Sequence, residues 1–145
     1  MPDAYVVDTG VFVRWYVAQI GYEHALRVQA DFLAGTVALE TVDQVRVELG
    51  DVLRKRGLQA GALDETDYIA AVRSLDDLGI DIHSTDADTQ ERVALLCARR
   101  PVTFYDGLLV DRALQRGLPL LTADAKLVRT VAGLLSTELL DGIDP

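Results

Sequence analysis

Residues 117–127 have the sequence Gly-Leu-Pro-Leu-Leu-Thr-Ala-Asp-Ala-Lys-Leu, in which three short signals follow one another. Gly117 is a residue type that readily takes the left-handed conformation found at helix ends. The apolar run Leu118–Leu121 then predicts a buried strand, and Asp124 stands where the next helix is expected to begin. A helix end, a strand and a helix start in close succession predict a strand–helix unit at this point of the chain.

The same alternation extends along the whole sequence. Short apolar runs alternate with longer stretches of helical spacing, most of which end at a glycine. The predicted strands are Ala4–Val7, Val37–Leu39, Ile80–His83, Leu118–Leu121 and roughly Ser136–Leu140. The predicted helix-ending glycines are Gly35, Gly57, Gly79, Gly117 and Gly133. This alternation predicts an α/β fold, an α/β/α sandwich with a central, mainly parallel sheet of about five strands.

Length and composition predict one folded domain over residues 1–145. Half of the residues are hydrophobic (50%) and the mean hydropathy is +0.16, which argues against disorder. The net charge of −9 is spread evenly along the chain, which excludes a basic-tailed nucleic-acid binder but not a local basic rim. The single Cys97 excludes an internal disulfide and a cysteine-based zinc site. Without a membrane-span pattern or a signal-peptide pattern, we expect a soluble, cytoplasmic protein.

Four acidic residues occupy positions where a carboxylate is costly to bury. Asp8 and Asp124 each follow a predicted strand, and the carboxyl ends of parallel strands share the edge of the sheet where ligands bind. Glu48 lies on the inward stripe of a helix that we expect to open with a capping box at Thr41, and Asp106 begins the apolar stripe of another helix. No Lys or Arg stands three or four residues from either of these two acids. An external cation is therefore the simplest remaining partner for these carboxylates.

A group of carboxylates without His or Cys suits a hard divalent ion such as Mg²⁺. The matching chemistry is hydrolysis of a phosphodiester bond, in which the ion activates water and stabilises the phosphate. Each acid also has an ordinary local explanation. Asp8 and Asp124 could cap helix starts, Asp106 could form a capping box with Thr103, and Glu48 could reach water at the edge of its stripe. Four independent accidents are a weaker explanation than one shared site.

Four segments carry a resemblance to a known family: Val6–Thr9, Val47–Leu49 within a helix, Tyr105–Asp106 and Leu120–Asp124, in this order. The ordered set resembles the PIN domain and, within it, the VapC-type ribonuclease toxins of toxin–antitoxin pairs. The resemblance covers roughly residues 4–140 and is strongest over residues 105–127. It implies an α/β/α sandwich and Mg²⁺- or Mn²⁺-dependent endonuclease action on RNA.

The resemblance also implies roles for individual residues. The acidic metal site would be formed by Asp8, Glu48, Asp106 and Asp124. Thr122 would orient a site carboxylate, and Thr9 would support the turn after the first strand. The family also implies a homodimer and a cognate antitoxin that enters the cleft, and a net charge of −9 suits a basic inhibitory partner. Gly10 and Gly107 depart from the family, which commonly has Ser or Asn at the first position and Ala at the second.

Two other functions stay open at this point. One is a different Mg²⁺-dependent phosphohydrolase with Asp8 as the nucleophile. Phosphatases of the haloacid dehalogenase type carry a second Asp two residues later, where this chain has Gly10, and the acidic pair and late Lys of a receiver-like domain are not in place. The other is a catalytically degenerate PIN fold that serves as a protein-binding module.

An RNA substrate would need contacts beyond the acids. The cations expected near the sheet edge, where they could meet phosphates, are Arg14, Arg46, Arg112, Arg116 and Lys126. An aromatic cluster formed by Phe12, Trp15 and Tyr16 could stack a base, or it could belong to the core or to a dimer interface.

Overall fold

Five parallel strands form the central sheet in the computed structural model, which describes residues 2–145. The strands are β1 (Ala4–Val7), β2 (Ala38–Val42), β3 (Asp81–His83), β4 (Leu120–Thr122) and β5 (Thr137–Leu139). Their order across the sheet is β3-β2-β1-β4-β5, and each neighbouring pair is parallel. The predicted α/β/α architecture and its five-stranded sheet are confirmed.

Helices cover both faces of this sheet. Within residues 2–145 they are α1 (Thr9–Val13), α2 (Tyr22–Leu33), α3 (Gln44–Leu53), α4 (Glu65–Asp77), α5 (Ala87–Arg99), α6 (Phe104–Arg116) and α7 (Ala125–Thr130). Successive strand residues point to opposite faces. Glu40 of β2 therefore meets Arg112 of α6 on one face, while Glu138 of β5 meets His24 of α2 on the other. No helix in the described part of the chain is long and apolar enough to cross a bilayer.

The core is centred on β1 and β4, the two strands that carry the largest share of buried apolar side chains. Val6–Val7 and Leu120–Leu121 are fully buried between the helical layers. Phe12 and Trp15 are buried as well and pack edge to face, with ring centroids 4.9 Å apart, and Tyr16 is half-buried beside the core. The aromatic cluster considered for base stacking therefore belongs to the core.

The strand order places a switch point between β1 and β4. From β1 the chain passes outward to β2 and β3 on one side, and β4 then returns to the other side of β1. The connections that follow β1 and β4 therefore diverge and open a crevice at the carboxyl edge of the sheet. Asp8 directly follows β1, and Asp124 comes two residues after the end of β4.

β2 is longer than its sequence pattern predicts. It runs to Val42 instead of ending at Leu39, because its last residues continue the parallel pairing with β3. The predicted capping box at Thr41 is therefore wrong. Thr41 is buried within the strand, its hydroxyl donates to the carbonyl oxygen of Val7 at 2.7 Å, and α3 begins only at Gln44.

Gly57 does not end α3, in contrast to the prediction. The chain continues as a π-helical segment over Arg54–Gln59, and the left-handed glycine comes later, at Gly61 with φ 79°. Gly57 instead packs closely against Leu63, because a Cβ at residue 57 would lie 2.7 Å from Cδ1 of Leu63. The four other glycines predicted to end helices all have positive φ angles: Gly35, Gly79, Gly117 and Gly133.

Gly107 lets α5 pack closely against α6. A Cβ at this position would lie 2.8 Å from Cγ1 of Val93 and 3.2 Å from Sγ of Cys97. We expect Gly107→Ala to lower the free energy of unfolding by about 1–3 kcal/mol, because overpacking outweighs the better helix propensity of alanine. Urea unfolding measures this loss. The matched control is Gly50→Ala in α3. A Cβ at residue 50 would have no atom from outside its own helix turn within 4 Å, so that alanine should stabilise the protein. Equal gains in stability in both variants would contradict the close packing at Gly107.

Candidate active site

Asp8 is held at the carboxyl end of β1 by groups from both central strands. Its Oδ1 accepts a hydrogen bond from the backbone N–H of Thr9 at 2.7 Å, which also caps α1. Its Oδ2 accepts one from the hydroxyl of Thr122 at 2.7 Å. The backbone N–H of Asp8 donates to the carbonyl oxygen of Leu121 at 3.0 Å. These bonds fix the carboxylate in the switch-point crevice.

Hydrogen bonds connect Asp8 to two of the other three acids. The hydroxyl of Thr9 donates to Oε2 of Glu48 at 2.7 Å, which ties α3 to the start of α1. On the opposite side, the hydroxyl of Thr122 accepts from the backbone N–H of Asp124 at 3.0 Å. A continuous chain of contacts thus runs from Glu48 through Asp8 to Asp124. Both threonines that were predicted as supporting residues take part in it.

Asp106 joins the other acids through charge. It lies in the first turn of α6, where the hydroxyl of Thr103 accepts from its backbone N–H at 3.1 Å. Burial raises the pKa of the Asp106 carboxyl, and the negative charges of Asp124 and Glu48 raise it further. A hydrogen bond with Thr103 lowers this pKa in part. Such an influence requires the carboxylates to lie near one another. The fold therefore brings all four predicted acids to one edge of the sheet.

The local explanations of these acids hold at the same time. Asp8 caps α1, Asp124 caps α7 by accepting from the backbone N–H of Leu127 at 3.1 Å, and Thr103 caps the helix that starts before Asp106. A cap uses one of the several acceptor sites of a carboxylate, which can therefore still bind a ligand. Capping therefore explains where the acids stand in their helices but not why they face one another.

Asp8 is ionised at an energetic cost. Burial raises its pKa to about 6, and the negative charges of Asp106 and Glu48 act in the same direction. The hydrogen bonds from Thr122 and Thr9 act in the opposite direction, because they stabilise the carboxylate form. A carboxyl group that titrates this close to neutral pH in a crevice is a candidate for a functional group.

Buried acids elsewhere in the protein are compensated by arginines. Glu40, which is 5% exposed, pairs with Arg112 and Arg116, and Asp111, which is 6% exposed, pairs with Arg92. Within residues 2–145, no ion pair includes any of the four crevice acids. None of the four is thus neutralised by a direct ion pair. Arg14, whose charged form Asp8 favours, instead donates to the carbonyl oxygens of Gly10 and Ile20.

The chemistry of this donor set fits a hard divalent ion. It offers carboxylate oxygens, with neither a thiolate nor an imidazole among them. In the part of the chain that the structure describes, no group of three or more acidic, His or Cys side chains is arranged to hold a metal ion by itself. Mg²⁺ does not require such a cage, because it keeps several waters and binds one or two carboxylates directly. The spread of the acids therefore suits a largely hydrated ion.

Three of the cations expected near the edge are engaged elsewhere. Arg112 and Arg116 lie in the C-terminal half of α6 and pair with Glu40, and Arg46 pairs with Asp76. Glu40, the partner of Arg112 and Arg116, was not predicted from the sequence. The available signal was an acid in the middle of an apolar strand, which needs a buried cation.

Gly10 leaves space for its neighbours at the start of α1. A Cβ there would lie 3.3 Å from Cβ of Ala123 and 3.4 Å from Nη1 of Arg14, and this guanidinium donates to the Gly10 carbonyl oxygen at 2.8 Å. A side chain at residue 10 therefore has little room in this protein. The hydrogen bonds to the crevice carboxylates come from Thr9 and Thr122 instead.

A family model of the PIN domain matches residues 5–133. The chain belongs to the PIN domain family. Among solved structures, VapC20 of Mycobacterium tuberculosis, a toxin that cleaves the sarcin–ricin loop, resembles this PIN domain with a TM-score of 0.70 at 17% identity, over 86% of this chain and 93% of the other. Among curated proteins, none matches the sequence.

Two further solved structures belong to toxin–antitoxin systems. A toxin–antitoxin complex from Klebsiella pneumoniae has a TM-score of 0.66 at 16% identity and covers 96% of this chain and 99% of its own. VapBC-5 of Mycobacterium tuberculosis has a TM-score of 0.55 at 25% identity, with 96% and 98% covered. The resemblance seen in the sequence segments is thus confirmed. VapC-type PIN domains are ribonucleases, and PIN nucleases generally use divalent metal ions.

Proposed function

We propose that this PIN domain is a cytoplasmic, Mg²⁺- or Mn²⁺-dependent endoribonuclease, the toxin of a VapBC-type toxin–antitoxin pair. Its reaction is the hydrolysis of phosphodiester bonds in RNA. The observation that carries the proposal is the gathering of four acids without an ion-pair partner at the switch-point crevice of a fold whose relatives are ribonucleases.

Each acid has a role in this proposal. Asp8, Asp106 and Asp124 would chiefly hold the ion, directly or through its bound waters, and Glu48 would hold a second ion or position the attacking water. When bound, the ion supplies positive charge that stabilises the phosphate and makes water more acidic. The hydroxyl of Thr9 engages Oε2 of Glu48, so that Oε1 is the oxygen left to orient water for in-line attack.

The threonines orient these carboxylates, and their hydrogen bonds favour the charged form of Asp8. A hydrogen bond to a carboxylate favours its charged form, which is the form that binds a cation. Thr122 provides this bond to Asp8 and at the same time positions the backbone of Asp124. The hydroxyl of Thr122 thus links the residues that follow β1 and β4.

Cleavage of a mixed pool of structured RNAs tests the proposal. We expect fragments from the wild type with Mg²⁺ or Mn²⁺ and none with EDTA. Asp106→Asn and Glu48→Gln should lose roughly 100-fold or more of the rate, as is usual for groups that act on the reacting atoms. Asp111→Asn, which alters a buried acid outside the crevice, is the matched control and should cleave. No fragments from folded wild type with either metal would refute the nuclease and favour the protein-binding module.

Thr122→Val should weaken the use of the metal without removing a charge. The substitution deletes the hydroxyl that Asp8 and Asp124 share, and loss of such a supporting hydrogen bond typically costs about 10–100-fold in metal affinity or activity. The Mg²⁺ concentration that gives half-maximal cleavage measures the effect. Thr122→Ser keeps the hydroxyl and should stay near wild type. Equal behaviour of the two variants would show that the hydroxyl has no such role.

We also propose a cognate antitoxin and a homodimer for this chain. The support for an antitoxin is that solved neighbours are toxin–antitoxin complexes, together with a net charge of −9 that favours a basic segment in the acidic crevice. An arginine-rich peptide should then inhibit cleavage, while a glutamate-rich peptide of equal length should not. Sedimentation of the purified chain tests the dimer.

A further inference from the structure

A groove beside the acids presents apolar and aromatic side chains to solvent. Its volume is about 470 Å³, and its apolar walls are formed by Val47 of α3 and by Phe104, Tyr105 and Leu108 of α6. Val47 is 66% exposed, Phe104 43% and Tyr105 58%. Single exposed apolar residues are ordinary on protein surfaces, but their convergence on one groove indicates a binding surface.

The groove adjoins the candidate active site on the β3 side of the crevice. Val47 directly precedes Glu48 on α3, and Tyr105 directly precedes Asp106 on α6. The opposite wall includes Thr85, from the connection that follows β3. A molecule that places a phosphate at the acids can therefore place the adjoining group in this groove.

The lining determines what kind of group fits. No Lys or Arg lines the groove, and its polar residues are Gln44, Gln90, Thr85 and Asp43. Both carboxylate oxygens of Asp43 are held by Thr85, one by its backbone N–H at 3.0 Å and one by its hydroxyl at 2.7 Å. Phosphates are bound mainly by cationic and N–H donors, whereas aromatic faces with amide groups beside them suit a nucleobase.

We propose that this groove binds an unpaired nucleobase that adjoins the cleaved phosphodiester, with Tyr105 and Phe104 as the stacking side chains. The inference rests on the proposed function for the identity of the substrate as RNA. A base within a duplex is stacked on both faces, so that the groove selects loops, bulges and single-stranded ends. Stacking tolerates every base, and the amide groups of Gln44 and Gln90 can contact its edge.

RNA binding by the Asp8→Asn protein tests the groove without cleavage. The probes are fluorescein-labelled single-stranded oligoribonucleotides of A, C, G or U and a fully paired RNA duplex of equal length, measured by fluorescence anisotropy. In this background we expect Tyr105→Ala to weaken single-strand binding about tenfold and to leave duplex binding unchanged. Tyr105→Trp keeps an aromatic face and should retain the affinity. Ile69→Ala, a matched control at an exposed apolar residue of α4, should bind like its parent.

Two results would overturn the groove as a base site. One is equal single-strand affinity of the Tyr105→Ala and Ile69→Ala proteins. The other is a lower sedimentation mass of Tyr105→Ala in the absence of RNA, which would identify the groove as an interface between copies of this chain.

Failure of the nuclease proposal and failure of the groove inference give different results. If the wild type cleaves the RNA pool and Tyr105→Ala cleaves it with an unchanged KM, the groove inference fails and the nuclease stands. If the wild type cleaves nothing but its single-strand binding depends on Tyr105, the nuclease fails and the groove inference is supported.

Discussion

Asp8→Asn is expected to abolish RNA cleavage and, at the same time, to stabilise the metal-free protein. The loss of activity should reach at least roughly 100-fold, because the substitution removes the charge of the acid at the centre of the proposed site. The gain in stability follows from the same charge. The carboxylate of Asp8 is desolvated and lies near the negative charges of Asp106 and Glu48, and both effects disfavour its ionised form. Asparagine is neutral and bears neither of these costs.

The size of the stability effect depends on pH. An unfolded aspartate titrates near pH 3.8, whereas Asp8 in the folded protein titrates near pH 6. Below about pH 4 the carboxyl is protonated in both states and imposes no penalty. As the pH rises to about 6 the folded state must give up a proton that it binds more tightly, and the penalty grows to at most about 3 kcal/mol. Asp8 is in part exposed to water, which makes this value an upper bound.

Urea unfolding in EDTA between about pH 4 and pH 8 measures this difference. The advantage of Asp8→Asn should be near zero at the acidic end and greatest above about pH 6. Asparagine can keep both hydrogen bonds, because its oxygen accepts from the backbone N–H of Thr9 and its amide donates to the oxygen of Thr122. Added Mg²⁺ should stabilise the wild type and narrow the gap.

Asp111→Asn is the control of opposite sign for this experiment. Asp111 is buried but paired with Arg92, so that its neutralisation removes an attraction and should lower the free energy of unfolding. If the wild type were more stable than Asp8→Asn at neutral pH in EDTA, the charge of Asp8 would not destabilise the metal-free protein.

Arg112→Met is expected to cost the protein about 3–5 kcal/mol of stability, because it leaves a buried carboxylate without its main partner. Glu40 lies in the middle of β2 and is 5% exposed. The Nε of Arg112 donates to its Oε1 at 2.8 Å, and the Arg112 side chain is itself only 16% exposed. The remaining partner, Arg116, is half exposed, and its Nε donates to Oε1 of Glu40 at 3.1 Å and to Oε2 at 3.2 Å.

A second substitution separates the ion pair from simple loss of packing. Glu40→Gln combined with Arg112→Met should cost clearly less than the sum of the two single losses, because the unpaired charge is gone. Arg116→Met is the matched control and should cost less than Arg112→Met, since water screens its guanidinium. Thermal or urea unfolding of the wild type and the four variants measures these losses. Additive losses in the double variant would refute the view that charge burial dominates.

The alternation of strands and helices was predictable because its signals are local. Apolar runs, helical spacing and glycines at helix ends act within a few residues of each other, and they correctly indicated every strand of the sheet. The signals fail where they overlap. Thr41 has the chemistry of a helix cap and also of a strand residue, and its place in β2 was decided by pairing with β3, which is distant in sequence.

The acids of the crevice were found by a similar argument, and their role as metal ligands is a prediction. Strand ends and helix stripes were enough to place Asp8, Glu48, Asp106 and Asp124 near one edge. The pairing of Glu40 with Arg112 was not accessible in this way. Helical spacing identifies partners three or four residues apart, and this ion pair joins residues that are 72 positions apart.

By itself, the sequence determined the α/β/α architecture and the candidate acids, which follow from residue order and local periodicity. It also indicated the family, through the resemblance of its ordered motifs. Only the tertiary structure decided that Thr9 and Thr122 connect the acids, and that Tyr105 stays exposed while Trp15 is buried. The physical reason is that periodicity establishes which residues share a face. Whether that face is covered, paired or open to a ligand depends on elements that come from distant parts of the chain.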